Sequence, residues 1–357
     1  LAARFFFGRK IGFVAEKVLL GMSGGVDSTV AGYLLKKAGY EVQGITLWLW
    51  APKEPYENPC CSVDAAALAA KELDIPHEVI QAQEDFRRLV VEPALAAYRR
   101  GLTPNPCAFC NREVRFALLV REAERRGIRW VATGHHARVL HNGRARLLRG
   151  RDREKDQSYF LFALTQEELS RALFPVGEYT KAEIKKMATE LGLSASRLPE
   201  SQDLCFAPEG ISALLPDSPP GPIYHVDGRL LGTHKGLPRY TVGQRHGLGL
   251  SYHEPLYVVA LDPERNALIV GPEEALYARG LIAQDLHWIS EPEGREFQAE
   301  VQIRYRAAAV PAEIELREGE AWVRFFQPVR AVTPGQAAVF YRGEEVLGGG
   351  IIMKSLP

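Results

Sequence analysis

Three stretches of this chain carry residue types and spacings suited to chemistry. The first is Ser23-Gly24-Gly25-Val26-Asp27-Ser28, two adjacent glycines set among hydroxyls and a carboxylate. Adjacent glycines let a backbone approach an anion closely, and a helix starting there points its unpaired N–H groups at the guest. Phosphate is the natural guest. No Gly-Lys-Ser/Thr follows and the spacing is not Gly-x-Gly-x-x-Gly, so neither the common triphosphate loop nor a dinucleotide fingerprint fits. The bland reading, a tight turn with a Ser or Asp cap, would be preferred for a lone Gly-Gly.

The second stretch is Thr103-Pro104-Asn105-Pro106-Cys107-Ala108-Phe109-Cys110, and the third places Cys205 in a loop at 199–206. Cys110 is expected just ahead of an amphipathic helix over 111–126, with Arg112 and Arg115 near. Helix dipole and cations both favour a thiolate there, and hence a nucleophile. A buried, inert cysteine is the commoner fate of each taken singly. Five cysteines, an odd number, in a chain this long do not read as a disulfide framework, and Cys60-Cys61 receive no role.

These residues need a scaffold. Val18 to Met22 reads as a buried strand and Ser28 to Ala38 as a helix closed by Gly39. Further strands are expected over 41–50, 77–80 and 130–134, with helices over 65–73 and 85–100 between them. This alternation predicts an α/β doubly wound parallel sheet, whose ligands bind at the carboxyl ends of the strands. The Ser-Gly-Gly loop and Gly134-His135 both fall at such ends. A hairpin over 138–149 is expected to turn at Asn142-Gly143 in type I′ geometry. Thr180-Lys181-Ala182-Glu183 reads as a capping box that opens a helix. From about residue 210 short strands take over, with a second break near 275. The expected division is an extension (1–16), a catalytic domain (17–209), a small β-rich central domain (210–274) and a C-terminal β-barrel (275–357).

The 357 residues are 46% hydrophobic and 25% charged, ordinary globular values, and no apolar run approaches a membrane span, so a cytoplasmic protein is expected. The formal net charge is zero. Its distribution is uneven: residues 87–155 hold seventeen Lys/Arg against six Asp/Glu, around the cysteine stretch, which favours a polyanionic partner over a merely solvated surface.

Ser-Gly-Gly-x-Asp-Ser resembles the pyrophosphate loop of the ATP pyrophosphatase superfamily (adenine nucleotide alpha hydrolase-like), and with all six positions matched after a strand the phosphate reading is preferred. The resemblance implies ATP split to AMP and pyrophosphate, with Gly21, Met22, Ser23, Gly24, Gly25, Val26 and Ser28 around the phosphates. It also implies that Asp27 helps place Mg2+, and that Gly134 and the backbone near Leu47 border the adenosine.

Adding the Thr103–Pro106 and Cys110-Asn111 motifs, Ala132–His135, Lys155–Phe160, the 199–206 segment, Thr241–Arg245, Ile303–Arg306 and Pro334–Gln336 through Gly348–Gly350, the chain from about residue 17 onward is similar to the tRNA-specific 2-thiouridylases. That family thiolates the wobble uridine (U34) of tRNAs such as those for Lys, Glu and Gln. The resemblance implies adenylation of the C2 oxygen by ATP, a persulfide on Cys205 and attack or resolution by Cys110. The sulfur donor would be a cysteine desulfurase or a sulfur-relay protein. It implies target-base or tRNA contacts at Asn105, Pro106, Cys107, His135, Lys155, Asp156, Gln157, Arg304, Tyr305 and Gln336. One common form of the family has Asp, a suspected acid/base, where Cys107 stands, which leaves the proton shuttle unassigned. Cys107, Cys110 and Cys205 together suit a redox relay or, as second choice, three ligands of a [4Fe-4S] cluster. Two rival readings have different requirements. A ligase or amidotransferase acting on a small metabolite needs no paired cysteines and no basic patch. A non-thiolating, nucleotide-dependent tRNA-binding protein would be indifferent to replacing Cys110 and Cys205.

Overall fold

The computed structural model describes residues 15–50, 62–198, 204–208, 210–215 and 218–357. Cys60, Cys61 and residues 1–14 and 199–203 lie outside the described residues. The chain divides into two compact units.

The first unit holds residues to 90, 107–206 and the short piece Glu344–Val346. Strand β1 (Lys17–Gly21) leads through the Ser-Gly-Gly loop into helix α1 (Val26–Ala38), which ends on Gly39 at φ +92°. Then come β2 (Glu41–Trp48), α2 (Val63–Glu72), β3 (His77–Gln81) and α3 (Gln83–Phe86), which continues through a π-helical turn at Arg87–Val91 into α4 (Glu92–Arg99), itself part of the second unit. After α5 (Pro106–Phe109), a second π-helical stretch at Cys110–Phe116 and α6 (Ala117–Arg125), the chain enters β4 (Trp130–Ala132). The hairpin β5 (Ala137–Asn142) and β6 (Arg144–Arg149), α7 (Gln166–Arg171), β7 (Ala172–Leu173) and α8 (Lys181–Glu190) complete this part.

All neighbours in the order β3-β2-β1-β4-β7 are parallel. The chain builds outward on one side of β1, then crosses to β4 on the other, so the strand order reverses between β1 and β4. A crevice is expected at their carboxyl ends. Apolar residues of β1 and α1, Val18, Leu20, Val30 and Leu35, are fully buried with Ala66, Ala69 and Ile184 from flanking helices. The expected doubly wound sheet is thus observed.

Two local expectations are corrected. The helix expected from Asn111 begins at Pro106, whose fixed φ and missing N–H suit a first helical position. Cys110 therefore lies inside the helix, beyond the first turn where the dipole acts. In the β5–β6 turn Asn142 pairs with Arg144 and only Gly143 has positive φ (+90°). Type I′ geometry needs positive φ at both central residues, so this turn is of another kind.

The second unit comprises residues 91–106, 207–343 and 347–357. Strands β8 (Gly221–His225), β9 (Leu230–His234), β10 (Tyr257–Asp262) and β11 (Ala267–Gly271) form a four-stranded sheet over a core of Ile223, Val258, Leu268 and Val270. The remaining strands are β12 (Tyr277–Trp288), β13 (Glu296–Gln302), β14 (Val310–Arg317), β15 (Glu320–Arg330), β16 (Ala337–Arg342) and β17 (Glu345–Leu356). They run in the order β12-β15-β14-β13-β16-β17, and β12 also pairs with β17, which closes a six-stranded barrel as expected. Its interior is filled by Leu281, Val301, Ile314, Phe340 and Ile352.

Candidate active site

The loop after β1 is shaped by its glycines. Gly24 has φ +82°, and a Cβ there would lie 2.7 Å from both the Ala65 Cβ and the Ala66 N. Gly25 is the N-cap of α1 and offers no side chain, so the N–H groups of Val26, Asp27 and Ser28 have no intrahelical acceptor and no capping oxygen. The hydroxyls of Ser23 and Ser28 lie 3.2 Å apart, the Ser23 N–H donates to Ser28 Oγ (3.2 Å), and Ser28 and Thr29 donate to the Gly25 carbonyl (3.0 and 2.9 Å). The loop is thereby preshaped around helix N–H groups that suit phosphate oxygens. Met22 is buried beneath it, donating its N–H to Ile45 O (2.8 Å) and accepting from Thr46 Oγ1 (2.8 Å). Val26 and Leu47 are buried, and Gly21 ends β1 where a Cβ would press on Leu119 at 3.3 Å.

Gly134 follows β4. A Cβ there would lie 2.6 Å from Ser28 N and 2.7 Å from Asp27 C, so only glycine lets the end of β4 close on the first turn of α1.

Asp27 is the centre of a charged cluster. Lys181 Nζ, at the start of α8, donates to both of its oxygens at 2.6 Å, and His136 Nε2 lies 3.0 Å from Oδ1. Burial pushes the Asp27 carboxyl up, but the His136 hydrogen bond and the Lys181 charge together outweigh it and hold the carboxyl below its ordinary value. Each partner is itself held. Thr180 caps α8 in the expected box with Glu183, and the Lys181 N–H donates to Asp152 Oδ2 (2.8 Å). His136 exchanges backbone contacts with Gln157: its N–H donates to Gln157 Oε1 and its carbonyl accepts from the Gln157 N–H, both at 2.9 Å. Asp156 is buried and accepts from Gly150 N, Ser158 N and Ser158 Oγ at 2.9–3.0 Å. Gln157 thus holds His136 in the Asp27 cluster, Asp156 orders the adjoining turn, and Lys155 beside them is half-buried. His135 is buried too, its Nδ1 2.7 Å from Thr133 Oγ1 and its ring packed on Phe116 and Phe174.

The cysteines lie in the same unit. Cys107 is exposed, Cys110 buried and Cys205 intermediate. Phe206, next to Cys205, packs edge-on against Phe86 and Trp50, with centroids 5.8 and 6.1 Å away. Phe86 ends α3, and α3 packs against the π-helical stretch that begins with Cys110. One short helix therefore touches both cysteine-bearing segments. Asn111 anchors the same stretch by donating to Phe160 O at 3.2 Å. Among the described residues no three His, Cys, Asp or Glu side chains are grouped to hold a metal ion.

Family models match along almost the whole chain: the tRNA methyl transferase HUP domain over residues 16–209, the tRNA methyl transferase PRC-barrel domain over 210–272 and the aminomethyltransferase beta-barrel domain over 278–352. The tRNA-specific 2-thiouridylase MnmA of Chloroflexus aurantiacus is 48% identical over 352 residues, covering 94% of this chain and 98% of its own. The enzyme of the same name from Moorella thermoacetica is 47% identical with the same coverage, and that from Geobacter metallireducens is 45% identical over 94% of this chain and 96% of its own. The chain belongs to the tRNA-specific 2-thiouridylase family.

In the second unit of this 2-thiouridylase family member, Asn105 and Pro106 are buried. The turn before them is clasped by the loop after β15. Gln336 Nε2 donates to Thr103 O (2.8 Å) and Thr103 N donates to Pro334 O (2.9 Å). Gly335, at φ +95°, has no room for a Cβ, which would meet Thr103 N at 2.8 Å. Arg304 Nη2 donates to Thr333 Oγ1 (2.6 Å) and Val242 O (3.3 Å). Tyr305 is half-buried under the Arg306 guanidinium, 5.5 Å from its ring centroid. Lys181 and His136 are the site residues that sequence reasoning missed. For Lys181 the signal was its place directly after a helix cap, and for His136 its place after a predicted strand end.

No helix among the described residues is long and apolar enough to cross a membrane.

Proposed function

We propose that this chain catalyses ATP-dependent 2-thiolation of the wobble uridine of tRNA, releasing AMP and pyrophosphate. The observation that carries the reading is the union, in one unit, of a preshaped anion loop with its Asp27 cluster and two cysteine segments packed on a common helix, in a chain of this family.

The uridine C2 oxygen is a poor leaving group, and attack on the ATP α-phosphorus turns it into part of AMP. The helix N–H groups and the Ser23 and Ser28 hydroxyls hold the departing pyrophosphate, and Gly134, close against the first turn of α1, borders the adenosine. Mg2+ needs one or two carboxylates besides phosphate oxygens, which Asp27 fits, and bound there it would neutralise charge on the leaving pyrophosphate. Lys181 supplies a fixed positive charge at the same carboxylate. Sulfur arrives as a persulfide on Cys205, its terminal sulfur displaces AMP, and Cys110 then attacks Cys205 Sγ. The 2-thiouridine leaves and a Cys110–Cys205 disulfide remains.

The substrate is tRNA with an unpaired wobble uridine, such as those for Lys, Glu and Gln, because a loop base can be splayed out and read at its edges. Asn105, Pro106 and Cys107, next in sequence to Cys110, are assigned to the target base. Lys155, His135, Arg304, Tyr305 and Gln336 are further residues assigned to tRNA contact. A cysteine desulfurase or sulfur-relay protein in the cytoplasm supplies the sulfur. ATP–pyrophosphate exchange tests the first half: it should require tRNA bearing a wobble uridine and vanish in Asp27→Asn. Exchange supported equally by a small metabolite without tRNA would refute the substrate assignment.

A further inference from the structure

We propose that Cys107 is a third reacting thiol: it takes the disulfide from Cys110 and Cys205 and presents it, as Cys107–Cys110, to a dithiol protein reductant. This rests on the function proposed above and deepens it.

Burial sets the problem. Cys110 is 7% exposed. A disulfide between Cys110 and the intermediate Cys205 would therefore have one sulfur screened from any protein-sized reductant, and thiol–disulfide exchange needs access to the attacked sulfur. Cys107 is exposed on the same helix. Residues three apart on a helix are surface neighbours, with Cβ atoms about 5–6 Å apart, against about 3.5–4.5 Å in a disulfide. The remaining gap falls where the helix changes from α to π geometry, between Phe109 and Cys110, the point at which its winding is already locally altered. The other end is tethered through Phe206, which is 3% exposed against Phe86 and Trp50 and keeps the Cys205 turn on the helix that Cys110's segment packs against.

The chemistry balances. After sulfur transfer the two cysteines hold one disulfide. The Cys107 thiolate attacks Cys110 Sγ, forming the Cys107–Cys110 bond and expelling Cys205 as thiolate, ready for the next persulfide. An external dithiol protein then attacks Cys107 Sγ. Two electrons pass from that dithiol to the chain, Cys107 and Cys110 return as thiols, and the reductant leaves as its own disulfide.

The test uses the full-length protein loaded with one persulfide and given ATP, Mg2+ and wobble-uridine tRNA for one round without reductant. Alkylation and peptide mass spectrometry then locate the disulfide, beside a count of 2-thiouridine. The wild type should carry Cys107–Cys110. Cys107→Ser should stop with Cys110–Cys205, and its steady-state rate with a reduced thioredoxin-type protein should fall about tenfold or more, as expected when the most exposed of the three sulfurs is lost. Product formed in the first round with Cys110–Cys205 persisting in the wild type, or Cys107→Ser turning over at the wild-type rate, would overturn the role of Cys107 alone. Absence of 2-thiouridine from the wild type in that first round would overturn the thiolation reading and this role with it.

Discussion

Lys181 Nζ sits 2.6 Å from both carboxylate oxygens of Asp27, joining the first residue of α8 to the first turn of α1 across 154 positions of sequence. With His136 on Oδ1, the carboxylate beside the phosphate loop is oriented before any ligand arrives.

The pair should behave as a coupled unit. Lys181 is largely buried and Asp27 partly so, between the limits of exposed and buried ion pairs, and removing either partner should cost about 1–3 kcal/mol. Lys181→Met with Asp27→Asn should then cost less than the sum of the singles. Urea midpoints of the four proteins measure this, and strict additivity would show the contact to be energetically idle.

The pair also sets an acid limb. The Asp27 carboxyl lies below its ordinary value of 3.8 in the folded chain, so its stabilisation is complete above the unfolded value and lost as pH falls through the folded one. Wild type should therefore lose more stability than Asp27→Asn between about pH 4 and pH 3. Parallel losses in denaturant titrations at those two pH values would contradict the assignment.

Gly134 faces backbone at 2.6 Å, which cannot yield as a flexible side chain would. Gly134→Ala should push the start of α1 away, costing about 1–3 kcal/mol by overpacking, and should weaken nucleotide binding by about tenfold for each 1.4 kcal/mol lost there. Titration calorimetry with a non-hydrolysable ATP analogue reads the effect. Unchanged affinity would mean that the nucleotide does not bind where the end of β4 meets the start of α1.

Phe206 separates the two half-reactions. Phe206→Leu removes two edge-on ring contacts worth about 0.5–1.5 kcal/mol each and loosens the turn carrying Cys205. Thiolation should fall while tRNA-dependent ATP–pyrophosphate exchange persists. Equal loss of both would place Phe206 in general folding.

Much of this was legible from local pattern. The strand–glycine loop–helix unit, the capping box at Thr180 and the shift to short strands after 210 are encoded within a few residues each, and the parallel sheet and barrel follow from their alternation. What escaped is long-range. Nothing near Asp27 announces Lys181 or His136, because folding alone brings them together. The side chains of Asp156 and Gln157 satisfy buried N–H groups of their own neighbourhood, a demand visible only once Gly150, Ser158 and His136 are in place. Gln336 likewise spends its amide on Thr103, 233 residues away. The position of Cys110 depended on where one helix begins, and Pro106 began it earlier than hydrophobic periodicity alone indicated.

The central claim is the chemistry itself, and nucleoside mass spectrometry of unmodified tRNA incubated anaerobically with the protein, ATP, Mg2+ and a sulfur source tests it most directly. The account predicts 2-thiouridine at the wobble position, dependent on ATP and lost in Cys110→Ser and Cys205→Ser. Conversion of ATP to AMP and pyrophosphate with no thiolated nucleoside under any sulfur supply would contradict it.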